Sequence, residues 1–315
     1  MQNNDLNSQN MNFTGMSLLG YRPDALLRVT GEDAFGFLQG QFTNELRRPP
    51  GSATYGLWLN QKGKILADSH VLRLSENEFL VTSVGSTAAL IRQRLEEYIV
   101  ADDVSLTDET AATHGLLLDG PGVSEAIKQL LGDVPAPGRF VRREETLVHH
   151  GRRRPGDNFE MLGPEEALAE FRRQFLGRGA RETVAAELKF ARISAGIPVV
   201  PVDLGPGDLP SEGGLEDSAL SYTKGCYLGQ EVMARLKNLG QVRRRLQVVR
   251  GRGPVPAARM ALYQGEKKVG ELRSVASRGE AFVALAMLSL INFNPAERLG
   301  LAPGGPADIA VDRHE

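Results

Sequence analysis

The chain has 315 residues, a formal net charge of −2 and a single cysteine. This length predicts two or three domains. The near-neutral charge excludes a general electrostatic attraction to nucleic acid, so no stable nucleic-acid binding is expected. One cysteine excludes an internal disulfide and any multi-cysteine metal site within one chain, so no metal ligand is predicted and a cytoplasmic location fits.

The most polar and the most apolar segments of the sequence also predict structural features. Residues 1–15 are polar and lack the apolar stretch of a signal peptide, which predicts a disordered tail. The longest apolar run, residues 281–291, is too short to cross a bilayer, so no membrane segment is predicted. Two basic runs, at 152–154 and 243–245, are predicted to be a solvated loop and the exposed start of a strand.

Residues 16–112 are predicted to form a first mixed α/β domain. Apolar residues alternate or recur at helical spacing in turn, and short polar connections favour antiparallel pairing of neighbouring strands. In chain order the predicted elements are a strand at 26–29, a helix with apolar residues at 34, 37, 38 and 42, strands at 55–59, 65–74 and 79–84, and a helix at 86–99.

Residues 113–240 are predicted to form a second domain of the same kind. Gly132 is placed to end one helix, and Gly196 and Pro198 are placed to end another. The predicted elements are a strand at 115–118, a helix at 124–131, strands within 139–161, helices from 164 and at 183–194, a loop rich in Gly and Pro at 197–215, and a helix at about 230–237.

From residue 241 the pattern changes to short strands separated by turns that contain glycine. Strand-forming runs lie at 246–249, 261–263, 268–272 and 281–288, and no helical period is present. This pattern predicts a small β-barrel over residues 241–315. The predicted fold class is therefore α+β, with two mixed α/β domains followed by a C-terminal β-barrel.

The segment that carries chemistry is KGCYLGQE, residues 224–231. Two glycines flank the triplet at 226–228, and Cys226 lies just before a predicted helix, with Lys224 two residues away. A helix N-terminus and a nearby ammonium both favour the thiolate form of a cysteine. Nucleophilic or redox chemistry at Cys226 is therefore reasonable. The alternative is that Cys226 is a small buried hydrophobic residue.

This segment resembles the signature of the YgfZ family, the folate-binding relatives of the glycine-cleavage T-protein. Other segments resemble the family as well. They are LLRVTGEDAFGFLQGQFTNEL near the start, LNQKGKILADSHVLRL in the following hairpin, ARISAGIP and LPSEGGL before the signature, and QVRRRL at the entry to the predicted barrel. The resemblance covers about residues 20–290 in scattered blocks.

The resemblance implies a fold and a function. The three parts would form a ring around a central folate-binding channel, and domains in the family can be discontinuous in sequence. The implied cofactor is tetrahydrofolate or a one-carbon derivative. The implied function is that of an accessory protein for iron–sulfur cluster assembly or repair, and the implied partners are iron–sulfur enzymes or assembly proteins, including enzymes that modify tRNA. Whether a reaction is catalysed stays open.

The resemblance also assigns roles to residues. If there is a reaction, Cys226 would be the nucleophile or a transient sulfur ligand, and Lys224 would stabilise its thiolate. Arg192 would hold folate through its planar donors or else cap the end of its own helix. Asp157 would accept hydrogen bonds from the pterin, or be a plain turn residue. Four further residues complete the implied folate set: Tyr227, which would stack on a ring or pack in a core, together with Gln230, Glu231 and Asp68.

One departure from the T-protein pattern concerns the reaction. T-proteins carry two adjacent aspartates in the hairpin, where this chain has Ala67 and Asp68. An alanine cannot move a proton, so the pattern points away from glycine cleavage, although Asp68 could still serve. The first alternative function is an aminomethyltransferase that transfers a one-carbon unit to tetrahydrofolate. The second is a non-catalytic module whose glycine-rich signature docks a partner.

Overall fold

The structure is a computed structural model of the chain, and it describes residues 15–240, 242–291 and 293–312. Residues 1–14 of the predicted tail lie outside these ranges. Within them, no helix is long and apolar enough to cross a membrane.

The first part of the chain builds a five-stranded antiparallel sheet. This part of the chain contains strands β1 (Ser17–Tyr21), β2 (Ala25–Thr30), β3 (Ser52–Leu59), β4 (Ile65–Arg73), β5 (Glu78–Ser83) and β6 (Ser105–Asp108), with helices α1 (Ala34–Gln41) and α2 (Ala88–Glu96). The strand order is β3-β4-β5-β2-β6, so β1 is not part of this sheet. The helices cover one face, and Trp58 and Phe79 are fully buried between helices and strands.

The second part builds a six-stranded sheet. It adds strands β7 (His114–Asp119), β8 (Phe140–Arg143), β9 (Thr146–His150), β10 (Asn158–Gly163) and β11 (Arg181–Glu182), with helices α3 (Val123–Leu131), α4 (Glu165–Gly177) and α5 (Ala185–Ser194). The order is β11-β1-β7-β10-β9-β8. Strand β1 pairs with β7 over all five of its residues, so this sheet is discontinuous in sequence. The domain division by residue number stays a prediction.

A long connection leads from α5 to the barrel. It contains two short helical segments, a 3-10 turn at Pro210–Gly213 and α6 (Glu216–Ala219), and then α7 (Gln230–Leu239). A third core forms here, between the connection and the ends of β3 and β4, and it includes Leu57, Ile65 and Tyr227. The connection therefore packs on the five-stranded sheet and is an ordered part of the fold.

The last part is a closed antiparallel barrel, as predicted. Its strands are β12 (Arg244–Arg252), β13 (Ala261–Gln264), β14 (Lys267–Arg278), β15 (Ala281–Ser289), β16 (Leu299–Gly300) and β17 (Ala307–Val311). The order is β12-β15-β14-β13-β16-β17, and pairing between β12 and β17 closes the ring. Two mixed α/β parts and a C-terminal barrel confirm the predicted fold class.

Candidate functional site

A cavity lies where the two sheets and the segment after α5 meet. The polar residues that line it are Tyr21, Tyr55, Asp68, Ser69, His70, Thr82, Ser83, His149, Arg152, Arg153, Glu160 and Arg192. Of the predicted folate residues, Asp68 and Arg192 are therefore brought together.

Asp68 is the carboxylate of the five-stranded sheet that faces the cavity. The Tyr55 hydroxyl donates to Oδ2 at 3.0 Å, and the Ser83 and Ser86 hydroxyls each donate to Oδ1 at 3.0 Å. Burial raises the pKa of Asp68, while the hydrogen bonds and the nearby Arg152 charge oppose that rise. Asp68 is thus a carboxyl group that three hydrogen bonds fix in place and that is partly removed from water.

The neighbouring Ala67 points to the other side of the sheet. Side chains alternate along a strand, and Ala67 is fully buried in the core beneath α1 and α2. A carboxylate at position 67 would have faced that core rather than the cavity. The alanine therefore removes no acid from the cavity, and its presence is no argument against one-carbon transfer.

Two histidines meet across the cavity wall, one from each sheet. The rings of His70 and His149 lie 4.6 Å apart between centroids, and Tyr55 lies 5.3 Å from His70. Burial lowers the pKa of His70 well below its ordinary value, and the neighbouring His149 and Arg152 add to that effect. Burial also lowers the pKa of His149. The pair is therefore neutral at physiological pH.

The basic run at 152–154 is not a solvated loop, so that prediction was wrong. The Arg152 guanidinium lies 3.9 Å above the ring of Tyr55, and Arg153 lies 3.9 Å above the ring of Tyr21. Arg153 also donates to both oxygens of the buried Glu160, at 2.8 and 2.6 Å. Contacts with the rest of the fold therefore hold Arg152 and Arg153 against the protein, and no local pattern in the sequence signals those contacts.

Arg192 lines the cavity, but its donors are used within the protein. Its Nη1 atom donates to Asp203 Oδ2 at 2.7 Å and to the carbonyl oxygen of Ile197 at 2.5 Å. Its Nη2 atom donates to Ser274 Oγ in the barrel at 3.2 Å. Arg192 therefore joins α5, the following segment and the barrel. The bond to the Ile197 carbonyl agrees with the alternative that Arg192 caps the end of its own helix, and its role in holding folate stays a prediction.

The signature lies apart from the cavity, against the end of α1. Lys224 is buried, and its ammonium donates to the carbonyl oxygens of Gln39, Phe42 and Asn44 at 2.8, 2.8 and 2.9 Å. Burial lowers the pKa of Lys224 to about 8. All three N–H groups are thus bonded to backbone carbonyls, and stabilisation of the Cys226 thiolate by the Lys224 charge stays a prediction.

The other signature residues divide between surface and core. Cys226 is exposed, which contradicts the alternative of a buried hydrophobic cysteine. Tyr227 is buried in the third core and does not line the cavity, and burial raises its pKa to about 12. Gln230 donates to the Lys224 carbonyl and accepts from the Tyr227 amide, both at 3.3 Å. Glu231 is exposed at the start of α7.

Asp157 does not face the cavity either. It is exposed in the loop between β9 and β10. The carboxylate that this region does contribute is Glu160, three residues later on β10 and buried beside Arg153. The alternation of a strand that starts at Asn158 could have pointed to Glu160. Among the described residues, no cluster of three or more His, Cys, Asp or Glu side chains could hold a metal ion.

Comparisons with known proteins agree with this geometry. The family "GCVT N-terminal domain" matches residues 23–148, and "CAF17, C-terminal beta-barrel domain" matches residues 243–309. The crystal structure of glycine cleavage system aminomethyltransferase T from Bartonella henselae superposes with a TM-score of 0.79 at 19% identity, covering 95% of this chain and 85% of that one. The fold is therefore that of the aminomethyltransferase class.

Two relatives show where within this class the chain belongs. The tRNA-modifying protein YgfZ of Edwardsiella ictaluri is 31% identical, over 71% of this chain and 68% of that protein. The mitochondrial iron-sulfur cluster assembly factor IBA57 of Mus musculus is 28% identical, over 84% of this chain and 75% of that protein. The chain belongs to the YgfZ/IBA57-type family of the GcvT superfamily, which confirms the resemblance drawn from its motifs.

Proposed function

We propose that the chain binds tetrahydrofolate or a one-carbon derivative in the central cavity and acts as an accessory protein for iron–sulfur enzymes. The observation that supports the first part is the cavity itself, which presents the acid Asp68 and neutral His149 beside aromatic rings. A pterin offers a flat ring and several N–H donors, and these wall groups suit it.

Titration calorimetry under anaerobic conditions tests the folate proposal. Tetrahydrofolate should bind the wild-type protein, and Asp68→Asn should weaken binding by about 1–3 kcal/mol because a charged acceptor is lost. Asp157→Asn is the control. Asp157 was predicted to bind the pterin but is exposed outside the cavity, so its replacement should leave binding unchanged. Binding that falls for Asp157→Asn and is unchanged for Asp68→Asn would put the ligand elsewhere. The absence of binding at millimolar tetrahydrofolate would overturn the proposal.

The iron–sulfur part of the proposal draws on the relatives, one named an iron-sulfur cluster assembly factor and another a tRNA-modifying protein. Cys226 is its proposed reactive group, since an exposed thiol can reach a partner. Lys224 anchors its loop at the end of α1, and Gln230 bonds to the backbone within that loop. The cytoplasmic location remains a prediction.

Complementation tests the role of Cys226. In cells that lack their own protein of this family, Cys226→Ser should lose support of iron–sulfur enzyme activity. Its melting temperature should equal that of the wild type, since the side chain is exposed and packs little. A stable serine variant that still complements would favour the alternative in which the signature only docks a partner.

A second candidate, aminomethyl transfer to tetrahydrofolate, is favoured by one observation. Asp68 keeps a carboxylate in the cavity, hydrogen-bonded and with a raised pKa, and such a group can exchange a proton with a folate nitrogen. The test is turnover with an aminomethylated lipoyl carrier protein. Product that disappears in Asp68→Asn would support this candidate, and no turnover by the wild type would exclude it.

A further inference from the structure

His149 offers the cavity an acceptor of defined protonation. Its Nδ1 atom lies 2.8 Å from the carbonyl oxygen of His150. A carbonyl only accepts hydrogen bonds, so Nδ1 carries the proton, and because burial keeps the ring neutral, Nε2 is bare. The backbone therefore selects the tautomer that leaves Nε2 as an acceptor.

That acceptor has no partner within the described part of the chain. His149 is 1% exposed, its ring lines the cavity, and Nε2 is buried without a hydrogen bond. Leaving a buried acceptor unpaired is costly, and such groups in native proteins usually meet a ligand or water. A ligand that brings an N–H donor to this wall would satisfy it.

The chemistry of pterins indicates which N–H donor of the ring would meet Nε2 of His149. The pyrimidine edge presents an amino group and a ring N–H side by side, and such a pair of donors suits a carboxylate. The other ring nitrogens, N5 and N8, are acceptors in the oxidised ring and carry N–H groups in the tetrahydro ring. A bare imidazole nitrogen opposite N5 or N8 attracts the reduced ring and repels the oxidised one.

We propose that His149 Nε2 accepts the N5–H or N8–H of a tetrahydropterin ring and so makes the cavity selective for the reduced form of folate. The proposal rests on the proposed function, because it assumes that the cavity holds a pterin. His149 is a specificity-determining residue in this account, and His70 packs against its ring and holds its orientation.

The experiment is anaerobic calorimetry of tetrahydrofolate and folic acid with three proteins: the wild type, His149→Asn and His149→Gln. Asparagine can keep the donor at the Nδ1 position but has no atom at Nε2, whereas glutamine can place an acceptor near Nε2. Asparagine should weaken tetrahydrofolate binding about tenfold and leave folic acid binding unchanged or stronger, because the repulsion of the oxidised ring is removed. Glutamine should restore most of the loss, and circular dichroism should show both variants folded.

The outcomes separate the two proposals. If the wild type binds neither ligand, the proposed folate function fails. If the wild type binds folic acid as tightly as tetrahydrofolate, selectivity is absent and the role of His149 is overturned, whatever the variants do. Equal losses for the two ligands in His149→Asn would also overturn it, because the acceptor would then face the pyrimidine edge.

Discussion

Lys224 carries a buried charge that backbone carbonyls hold. Replacement by methionine keeps the apolar stem and removes the ammonium, so three carbonyl oxygens lose their donor. We expect Lys224→Met to lower the free energy of unfolding by about 1–3 kcal/mol, measured by urea denaturation. Lys62→Met, at an exposed turn, is the control and should change it little. Unchanged stability with slower alkylation of Cys226 would instead support the predicted role of Lys224 in stabilising the Cys226 thiolate.

The neutral histidine pair makes stability depend on pH. The pKa values of His70 and His149 are lowered in the folded state, so below about pH 6.5 the unfolded chain binds protons that the folded chain does not. The free energy of unfolding should therefore fall as pH falls, by at most about 1.4 kcal/mol per pH unit for each histidine.

Urea denaturation at pH 7.5 and 5.5 measures this effect. The wild type should lose more stability between the two values than His70→Gln, which cannot take up the proton at that position. Because Asp68 is present in both proteins, its own titration cancels from the comparison. Equal losses in the two proteins would mean that His70 is protonated as readily in the folded state as in the unfolded one.

At the scale of elements, the start of α7 depends on one glycine of the signature. Gly229 has φ +84°, and a Cβ there would lie 2.8 Å from the carbonyl oxygen of Asn60 in the β3–β4 turn. Gly229→Ala should therefore destabilise the protein by about 1–3 kcal/mol. Gly225→Ala is the matched control, because nothing lies within 4 Å of its Cβ position. Thermal unfolding of both variants checks this, and equal melting temperatures would contradict it.

Contacts in the same region link the signature to the cavity. Lys224 donates to the Asn44 carbonyl, and the Asn44 side chain donates to the carbonyl oxygen of Tyr55 at 2.8 Å. From the cavity side, Arg152 donates to Ser218 Oγ at 3.2 Å, in the connection that leads to the signature. The loop that carries Cys226 and the wall of the cavity thus share an anchor on β3.

At the scale of the whole molecule, buried ion pairs hold the connection to its neighbours. Asp203 is fully buried and pairs with Arg192, which also reaches Ser274 of the barrel. Removing one partner of a buried pair leaves an uncompensated charge, so Asp203→Ala should lower the free energy of unfolding by about 3–5 kcal/mol.

The partly exposed pair of Arg250 and Asp312 provides the control for that prediction. Because solvent reaches both side chains, Asp312→Ala should cost about 1 kcal/mol or less. Urea denaturation of the two variants gives the comparison. Similar losses for Asp203→Ala and Asp312→Ala would mean that the buried pair contributes no more than a surface one.

The sequence by itself determined the secondary structure of long periodic segments, the barrel and the family. These follow from local patterns, such as the alternation in β4, the continuous apolar run of β15 and the motif at 224–231, because such patterns record which faces of an element are buried. The sequence also placed Asp68 in the hairpin formed by β3 and β4, but it did not show which aspartate of the T-protein pair Asp68 matches.

Only the tertiary structure decided which residues share a site. Strand β1 joins β7, about 100 residues away, and no local pattern encodes that partner. The cavity is bordered by Arg152, Arg153 and Glu160 only because the two sheets face each other. The sequence alone therefore predicts that these charged side chains are exposed to solvent. Lys224 and Cys226 are two residues apart, yet one is buried against α1 and the other is exposed, because the packing of α1 fixes which side of the loop meets the core.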